Sequence, residues 1–273
     1  MIWVGGRILP DDELKISVRD RTFEHGLGLF ETLRTWNGHA TLLQRHLDRM
    51  SRSARELGLP LEPAALPGAD AVAALLRADG VTGDAMVRIT LSGGQTATGG
   101  SLVWMRSAPV PPAREGGACV KSFWDVSSDD PLARHKTLNY WGRRLAYELA
   151  QADGSDETLS QTRDGCIWEG SRTNLFVILG KIVTTPRPDG PLLPGIMRGL
   201  VLERARRIGL EVGEGEYHRD IFTMAHEVFL TNSVRGIMPV GQFGARRLTA
   251  PGPWTRRLWD DIRPWLESGG TTP

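Results

Sequence analysis

The stretch ETLSQTRDGCIWEGSRTNLFVILGKIVTT, residues 157–185, decides the fold class of this chain. Runs of apolar and β-branched residues are separated by two polar turns, RDGC at 163–166 and LGKI at 179–182. Short apolar runs between such turns are typical of antiparallel strands. We therefore predict three strands in this stretch, joined by those two turns.

Helical patterns lie on both sides of these strands. The preceding segment, 140–154, carries Trp141, Leu145 and Leu149 at spacings of four, and the following segment, 192–210, begins with a Pro-Gly turn. Spacings of three or four place side chains on one face of a helix. Farther along, the chain predicts strand, polar loop, strand and a final helix. Hairpins mixed with helices in this way predict an α+β fold and not a doubly wound sheet.

The N-terminal part of the chain predicts a separate domain. Residues 1–36 have the alternation and the Gly-Gly signal of short hairpin strands, and residues 41–59 and 69–79 have helical spacing. Pro and Gly are concentrated in APVPPAREGGA, which is the composition of a linker. The predicted organisation is a small N-terminal domain (1–107), a linker (108–118) and a large C-terminal domain (119–273).

The composition is that of a globular protein, with 40% hydrophobic residues, 24% charged residues and a net charge of +1. A net charge near zero gives no field that would favour nucleic acid or an acidic membrane. No apolar run approaches the roughly 20 residues of a membrane helix. We find no signal peptide, and the two cysteines and six histidines have no metal-ligand or redox spacing. We expect a cytoplasmic protein with no metal, nucleic-acid or membrane partner.

Lysine is rare in this chain, and one lysine lies in a segment suited to chemistry. Only four lysines occur, so arginine supplies the other 29 of the 33 basic residues. Lys136, in ARHKTLNYW at 133–141, lies in a polar loop that leads directly into a predicted helix. A lysine amine can form a Schiff base or act as a general base when its pKa is lowered. From the residues alone, a surface role for Lys136 remains the alternative.

Two segments could receive an anion. The polar loop TNSVRG at 231–236 offers hydroxyl and backbone N–H groups, and the helix that follows Gly195 offers the unpaired N–H groups of its first turn. An ordinary helix start is the alternative for the second segment. Glu169, at the end of a predicted strand, could pair with a protonated ring nitrogen or be a solvated turn residue.

These signals occur in an order that extends over nearly the whole chain. The ordered motifs are DRTFEHGLGLFETLR (20–34), RHLDRM (45–50), KTLNY (136–140), EGSRTNLF (169–176), LLPGIMR (192–198) and TNSVRGIMPV (231–240). This order resembles the fold-type IV (class IV) pyridoxal-phosphate enzymes. That group contains branched-chain and D-amino-acid aminotransferases, (R)-amine transaminases and aminodeoxychorismate lyase.

The resemblance implies a fold, a cofactor and an assembly. The implied fold has a small N-terminal α/β domain and a larger, barrel-like α+β C-terminal domain that carries the Schiff-base lysine. The implied cofactor is pyridoxal 5'-phosphate, and the implied assembly is a homodimer. Lys136 matches the lysine that forms the aldimine and moves the proton, and Glu169 matches the carboxylate that faces the pyridine nitrogen. Tyr140 matches a tyrosine that lies near the ring hydroxyl in the branched-chain enzymes.

The remaining cofactor contacts also follow from the resemblance. Arg49 and Ser233 match residues that bind the phosphate through their side chains. Ile196 and Met197 match residues that bind it through backbone N–H groups, and Leu193 matches an apolar residue that packs on the ring face.

The predicted substrate site departs from the family pattern at two places. The first motif has Gly26-Leu27-Gly28 where relatives have GDG, and the loop SGGQTATGGS at 92–101 lacks the Arg-x-His pair of well-known D-amino-acid enzymes. As a hypothesis, Arg172 holds the substrate carboxylate, together with His25 or Arg34. A solvated turn arginine is the alternative for Arg172. Two further substrate contacts are predicted in the 231–236 loop, at Asn232 and Val234.

The leading function is transamination, a ping-pong exchange of an amino group between an amino acid and a 2-oxo acid. The amino acid is expected to be a D-amino acid or a branched-chain L-amino acid. The alternative is aminodeoxychorismate lyase, which uses the same lysine to release pyruvate and give 4-aminobenzoate. A non-enzymatic protein is disfavoured because Lys136 and Glu169 are both present.

Overall fold

A computed structural model describes residues 1–112 and 116–270 of the chain. The chain divides into two units. Unit 1 contains residues 1–111, 135–139 and those from 265 onward, and unit 2 contains the chain from 112 to 134 and from 140 to 264. The first change of unit, after Pro111, falls within the predicted linker 108–118, of which residues 113–115 lie outside the described residues.

Unit 1 contains a five-stranded sheet in the order β2-β1-β5-β4-β3, and all neighbouring strands are antiparallel. Gly5 and Gly6, both with positive φ, form the β1–β2 turn that the Gly-Gly signal predicts. The strands are β1 (Ile2–Val4), β2 (Arg7–Leu9), β3 (Gly28–Arg34), β4 (Ala85–Ser92) and β5 (Val103–Pro109), and the helices are α1 (Arg21–His25), α2 (Leu43–Glu56) and α3 (Ala69–Ala78).

The two faces of this sheet have different environments. Val87, Ile89 and Leu91 of β4 belong to the apolar core of unit 1, which also contains Leu47 and Leu75 from α2 and α3. Side chains alternate between the two faces along a strand. The intervening residues of β4, among them Arg88, therefore lie on the other face.

Two expectations for the N-terminal half of the chain are wrong. Residues 21–25 form the short helix α1 and not a strand, because Asp20 caps its N-terminus through the Thr22 N–H and Gly26 ends it. The lysine segment 135–139 belongs to unit 1 and not to the large C-terminal unit, because Thr137 forms an antiparallel bridge with Leu29 of β3.

Unit 2 is built on a nine-stranded sheet with the main order β11-β10-β9-β12-β13-β6-β7-β8, and β14 pairs with β13. Because β8 also pairs with β9, through Glu169 and Asn174, six of these strands close on themselves into a barrel-like sheet. The strands are β6 (Ala118–Asp125), β7 (Glu157–Gln161), β8 (Ile167–Gly170), β9 (Asn174–Leu179), β10 (Ile182–Pro186), β11 (Glu211–Gly215), β12 (Glu227–Asn232), β13 (Gly236–Phe243) and β14 (Arg246–Arg247).

The helices of the C-terminal half are α4 (Trp141–Ala152), α5 (Ile196–Arg207), α6 (Ile221–Met224) and α7 (Pro253–Glu267). The prediction of an α+β fold is confirmed by this mixture of sheets and helices. In the part of the chain that the structure describes, no helix has the length and apolar character required to cross a membrane.

The opening stretch 157–185 forms four strands, not the predicted three. The buried carboxylate of Glu157 accepts the N–H groups of Ser171 and Arg172, at 3.0 and 3.2 Å, and the Thr173 hydroxyl at 3.1 Å. These bonds fold residues 171–173 into a turn that separates β8 from β9. The turn also makes the β8–β9 pairing that closes the barrel-like sheet.

Candidate active site

Lys136 lies against the edge strand β3 of unit 1. The Phe30 N–H donates to the Lys136 carbonyl at 2.9 Å, and the Leu138 N–H donates to the Gly28 carbonyl at 3.0 Å. The lysine Nζ lies 4.5 Å from the centroid of the Phe30 ring, within cation–π range. The backbone is thus fixed on both sides of the lysine, and the amine is held over an aromatic ring.

His135 ties the same segment to helix α2. Its Nδ1 lies 3.0 Å from the Ser53 hydroxyl, and its Nε2 lies 3.7 Å from the Glu56 carboxylate. The histidine side chain is only 9% exposed. Lys136 is therefore held between a strand and a helix of unit 1, although its own segment is neither helix nor strand.

A cavity of about 280 Å³ lies on the face of the unit 1 sheet opposite its apolar core. Arg88 on β4 and Arg106 on β5 line it and are direct cross-strand partners. Like charges placed opposite one another destabilise a sheet, so an anion in the cavity would relieve their repulsion. The Arg88 guanidinium lies 3.7 Å from the Phe30 ring centroid. One aromatic ring therefore contacts both the Lys136 amine and the cationic lining of the cavity.

A buried ionic cluster lies between β3 and α2. Arg49 Nε donates to Glu31 Oε1 at 2.8 Å, Arg49 Nη2 donates to Oε2 at 2.7 Å, and His46 Nδ1 lies 2.7 Å from Oε2. Burial opposes ionisation of Glu31, but the charges of Arg49 and His46 outweigh it and lower the pKa of the carboxyl to about 2. Burial also lowers the pKa of His46. The predicted phosphate contact of Arg49 stays a prediction, and two of its nitrogens bind Glu31.

Glu169 is the centre of a polar cluster in unit 2. This residue, at the end of β8, is only 2% exposed. Its Oε1 accepts the Leu193 N–H at 3.1 Å and a bond from Arg143 Nη2, and its Oε2 accepts from Asn174 Nδ2 at 3.2 Å. Three donors from three parts of the chain therefore fix the orientation of the carboxylate. The solvated-turn alternative for Glu169 does not hold.

Tyr140 and Arg143 approach this cluster from the start of α4. Tyr140 donates its hydroxyl to the Ser171 carbonyl at 3.1 Å, and burial raises the pKa of the phenol. Burial opposes the charge of Arg143, but the carboxylate of Glu169 outweighs it and raises the pKa of the guanidinium. The cluster therefore contains a fixed ion pair as well as neutral hydrogen bonds.

Asn174 connects this cluster to the N-terminus of α5. Besides bonding Glu169, its Nδ2 donates to the Leu193 carbonyl at 2.9 Å. A Cβ on Gly195 would lie 1.9 Å from Asn174 Oδ1, so only glycine permits this approach. Glycine also provides no capping side chain, which leaves the first N–H groups of α5, from Ile196 and Met197, for an external anion.

The 231–236 loop is shaped by Asn232. Its Oδ1 accepts the N–H groups of Val234 and Arg235, at 3.1 and 2.8 Å. This turn occupies the Asn232 side-chain oxygen and contains Ser233. The adjacent Thr231, which pairs with Asn174 in the sheet, is 1% exposed, and its hydroxyl has no hydrogen-bond partner among the described residues.

The three residues predicted to bind the substrate carboxylate have different local environments. The Arg172 guanidinium lies 3.4 Å from the Tyr147 ring centroid and is exposed. His25 is exposed at the end of α1. Arg34 donates to Asp84 at 2.8 Å and lies 4.0 Å from the Trp36 ring centroid, contacts that favour a structural role.

Several residues of these clusters were missed by the sequence analysis, among them Glu31, Asn174, Arg88, Arg106 and Arg143. Glu31 lies in the quoted motif 20–34, and its place between Leu29 and Leu33 in an alternating strand pattern was the signal available. Arg88, Arg106 and Arg143 are three of 29 arginines, and no local pattern distinguishes them. Within residues 1–112 and 116–270, no group of three or more His, Cys, Asp or Glu could hold a metal ion.

Comparisons with known proteins identify the family. The family model described as Amino-transferase class IV matches residues 28–243, which is more than half of the chain. This chain belongs to the class IV aminotransferase family. The aminodeoxychorismate lyase of Bacillus subtilis (strain 168) is 28% identical over 254 residues, covering 88% of this chain and 85% of that protein. A putative branched-chain-amino-acid aminotransferase of Methanocaldococcus jannaschii is 28% identical over 278 residues, covering 96% of each.

One solved structure that this chain resembles is a complex with a phosphopyridoxyl compound. It is a T.th. branched-chain amino acid aminotransferase complexed with N-(5'-phosphopyridoxyl)-L-glutamate. This chain is 27% identical to it, with a TM-score of 0.85, covering 99% of this chain and 94% of that chain. This class IV aminotransferase is thus a fold-type IV enzyme that uses pyridoxal 5'-phosphate. The uncapped α5 N-terminus, the buried Thr231 hydroxyl and the buried Glu169 carboxylate fit such a group.

Proposed function

We propose that this enzyme is a transaminase that exchanges an amino group between an amino acid and a 2-oxo acid in a ping-pong reaction. The observation that carries the proposal is the Phe30 ring, which contacts the Lys136 amine and the Arg88 guanidinium. A nucleophilic amine and a cationic cavity on one sheet face suit substrates that combine a carbonyl with a carboxylate. The amino acid is a D-amino acid or a branched-chain L-amino acid.

The residues have distinct tasks in this proposal. Bound pyridoxal phosphate supplies an aldehyde for covalent attachment and a ring that withdraws electrons from the substrate. Lys136 provides the attaching amine and afterwards takes and returns the substrate Cα proton. Glu169 would hold a proton on the ring nitrogen, and Tyr140 would interact with the ring hydroxyl. Leu193 would pack on the ring, while Ile196, Met197, Ser233 and Arg49 would hold the phosphate.

Half-reactions with single amino acids test this function. L-leucine, D-alanine and D-glutamate are added separately to the cofactor-loaded enzyme, and the visible absorbance of the cofactor is followed together with release of the 2-oxo acid. One of these amino acids is expected to convert the cofactor to its amino form, and a 2-oxo acid is then expected to restore it. Failure of every amino acid to do so would contradict transamination.

Aminodeoxychorismate lyase is the second candidate function, because the Bacillus subtilis relative has that activity in its name. Pyruvate release from aminodeoxychorismate, without any amino acceptor, would identify the lyase. The same Lys136 serves both reactions, so substrate and product distinguish them and mutation of the lysine does not.

The paired arginines predict a substrate with two carboxylates. Arg88→Gln and Arg106→Gln are each expected to raise the KM for 2-oxoglutarate about 10- to 100-fold, because each removes a charged hydrogen-bond donor. The KM for pyruvate, which has no second carboxylate, is expected to change little. Steady-state kinetics with both acids measure the difference, and Arg7→Gln, at an exposed position of β2, is the matched control. Equal effects on both acids would contradict this assignment.

An exposed apolar row on α4 supports a homodimer. Trp141, Leu145 and Leu149 are 75%, 46% and 63% exposed and lie at spacings of four on one helix face. Contiguous exposed apolar side chains are typical of protein interfaces. Leu149→Asp is expected to shift the enzyme from dimer to monomer in sedimentation velocity, whereas the neighbouring Glu148→Gln is not. A wild-type monomer, or a Leu149→Asp variant that remains dimeric, would contradict this interface.

We also propose a cytoplasmic location. Cys119 and Cys166 are both free and buried. Unpaired thiols are the usual state in a reducing compartment. Fractionation of the native host, with detection of the enzyme by antibody, tests this location.

A further inference from the structure

Glu169 receives a bond from a charged donor, Arg143, to which the family resemblance assigns no role. The Leu193 N–H and the Asn174 amide are neutral, whereas Arg143 brings a full positive charge to Oε1. The side chains are 21% exposed for Arg143 and 3% exposed for Glu169. Solvent therefore screens this ion pair less than it screens a surface pair.

The neighbouring arginine on the same helix provides a comparison. Arg144 pairs with Glu148, four residues ahead on α4, and both side chains are more than half exposed. That pair is an ordinary surface contact with a small effect. Arg143 instead points toward the barrel-like sheet and ends on the carboxylate at the end of β8. Two consecutive arginines thus have different environments, and it is Arg143 that reaches the Glu169 cluster.

The charge of Arg143 has a direct consequence for any proton held opposite Glu169. A carboxylate near a ring nitrogen favours its protonated, cationic form, and a nearby cation disfavours that form. Because Arg143 partly neutralises Glu169, the ring nitrogen experiences a weaker negative potential than an unpaired carboxylate would give. Other charged or titratable groups that interact with this cluster are Tyr140, Glu157 and Arg172.

We propose that Arg143 is a positioning residue that lowers the proton affinity of the cofactor ring nitrogen through its ion pair with Glu169. The inference rests on the proposed function, since it requires pyridoxal phosphate bound with its ring nitrogen facing Glu169. Arg143 touches neither the substrate nor the ring in this account. It keeps the Glu169 carboxylate charged and oriented, and it sets the pH at which the ring nitrogen gains its proton.

Titration of the bound cofactor tests this role. Pyridoxal phosphate labelled with ¹⁵N at the ring nitrogen is bound to the wild type and to Arg143→Gln, and the ¹⁵N chemical shift is followed with pH. The variant is expected to hold the ring proton to a pH about 1 to 3 units higher than the wild type, as expected for loss of a cation near the site. In Glu169→Gln the ring nitrogen is expected to lose its proton at a lower pH than in the wild type.

Two further variants separate electrostatics from structure. Arg143→Lys keeps the charge and is expected to titrate close to the wild type, and it also serves if Arg143→Gln does not fold. Arg144→Gln removes the surface arginine and is expected to leave the titration unchanged. If the role of Arg143 were purely structural, Arg143→Gln would alter the melting temperature without changing the pH at which the ring nitrogen gains its proton.

The outcomes distinguish this inference from the proposed function. If the wild type does not bind pyridoxal phosphate through Lys136, the proposed function fails. Suppose instead that the wild type binds it and that the ring nitrogen in Arg143→Gln gains its proton at the same pH as in the wild type or at a lower pH. Only the role of Arg143 is then overturned. If the ring nitrogen in Arg143→Lys titrates at the same pH as in Arg143→Gln, the charge of residue 143 does not cause the shift. The proposal is then likewise overturned.

Discussion

Lys136→Ala is expected to reduce turnover by at least about 10⁴-fold while the protein still folds. The variant lacks the amine that attaches the cofactor and that moves the substrate proton, so both tasks are lost together. An arginine cannot replace this lysine, because a guanidinium does not release its proton near neutral pH. Steady-state assays with the amino acid identified by the half-reactions measure the loss.

The control for Lys136→Ala is Lys121→Ala. Lys121 is an exposed lysine that donates to the Asp153 carbonyl at 3.1 Å, and its loss is expected to leave turnover unchanged. Borohydride treatment followed by mass spectrometry is expected to fix the cofactor on the wild type and on Lys121→Ala, but not on Lys136→Ala. Wild-type turnover by Lys136→Ala would refute the assignment of the catalytic lysine.

Glu31→Gln is expected to lower the free energy of unfolding by about 3 to 5 kcal/mol, because it leaves the buried Arg49 without its carboxylate. Folding lowers the pKa of Glu31 from 4.5 to about 2. The stabilisation by Glu31 is therefore present above pH 4.5 and is lost as the pH falls toward 2. A shift of that size corresponds to about 3 kcal/mol.

Urea unfolding at several pH values checks the prediction for Glu31. The difference between Glu31→Gln and the wild type is expected to be largest near neutral pH and smaller near the acidic limit. Asp48→Asn, on the same helix α2 but exposed, is the matched control and is expected to be close to the wild type. A variant as stable as the wild type at neutral pH would show that this cluster does not stabilise unit 1.

The fold was predictable where structure depends on local spacing. The strands around the Gly5-Gly6 turn and the helix α2 follow from alternation, from turn residues and from helical periodicity. The turn at 171–173 was not predictable, because its cause is the Glu157 carboxylate, which lies 14 residues away from Ser171. Helix α1 was missed because its five residues are too short for periodicity to reveal.

The candidate site was predictable to the extent that its residues lie in ordered motifs. Lys136 and Glu169 were singled out in this way, but Arg143 and Asn174, two of the three donors to Glu169, were not. A sequence with 29 arginines gives no local reason to choose Arg143 over Arg144, and only the packing of α4 distinguishes them. Lys136 was placed in the wrong unit because its pairing with β3 joins distant parts of the chain.

The pairing of the lysine segment with β3 also protects the unit 1 sheet from aggregation. β3 is the last strand in the order β2-β1-β5-β4-β3, and an uncovered edge strand is a template for the strands of other molecules. Residues 136–138 occupy hydrogen-bonding groups of Gly28 and Phe30 on that edge. A change that loosened this segment would displace the catalytic amine and would also expose β3 to pairing with strands of other molecules. Activity and solubility would then be lost together.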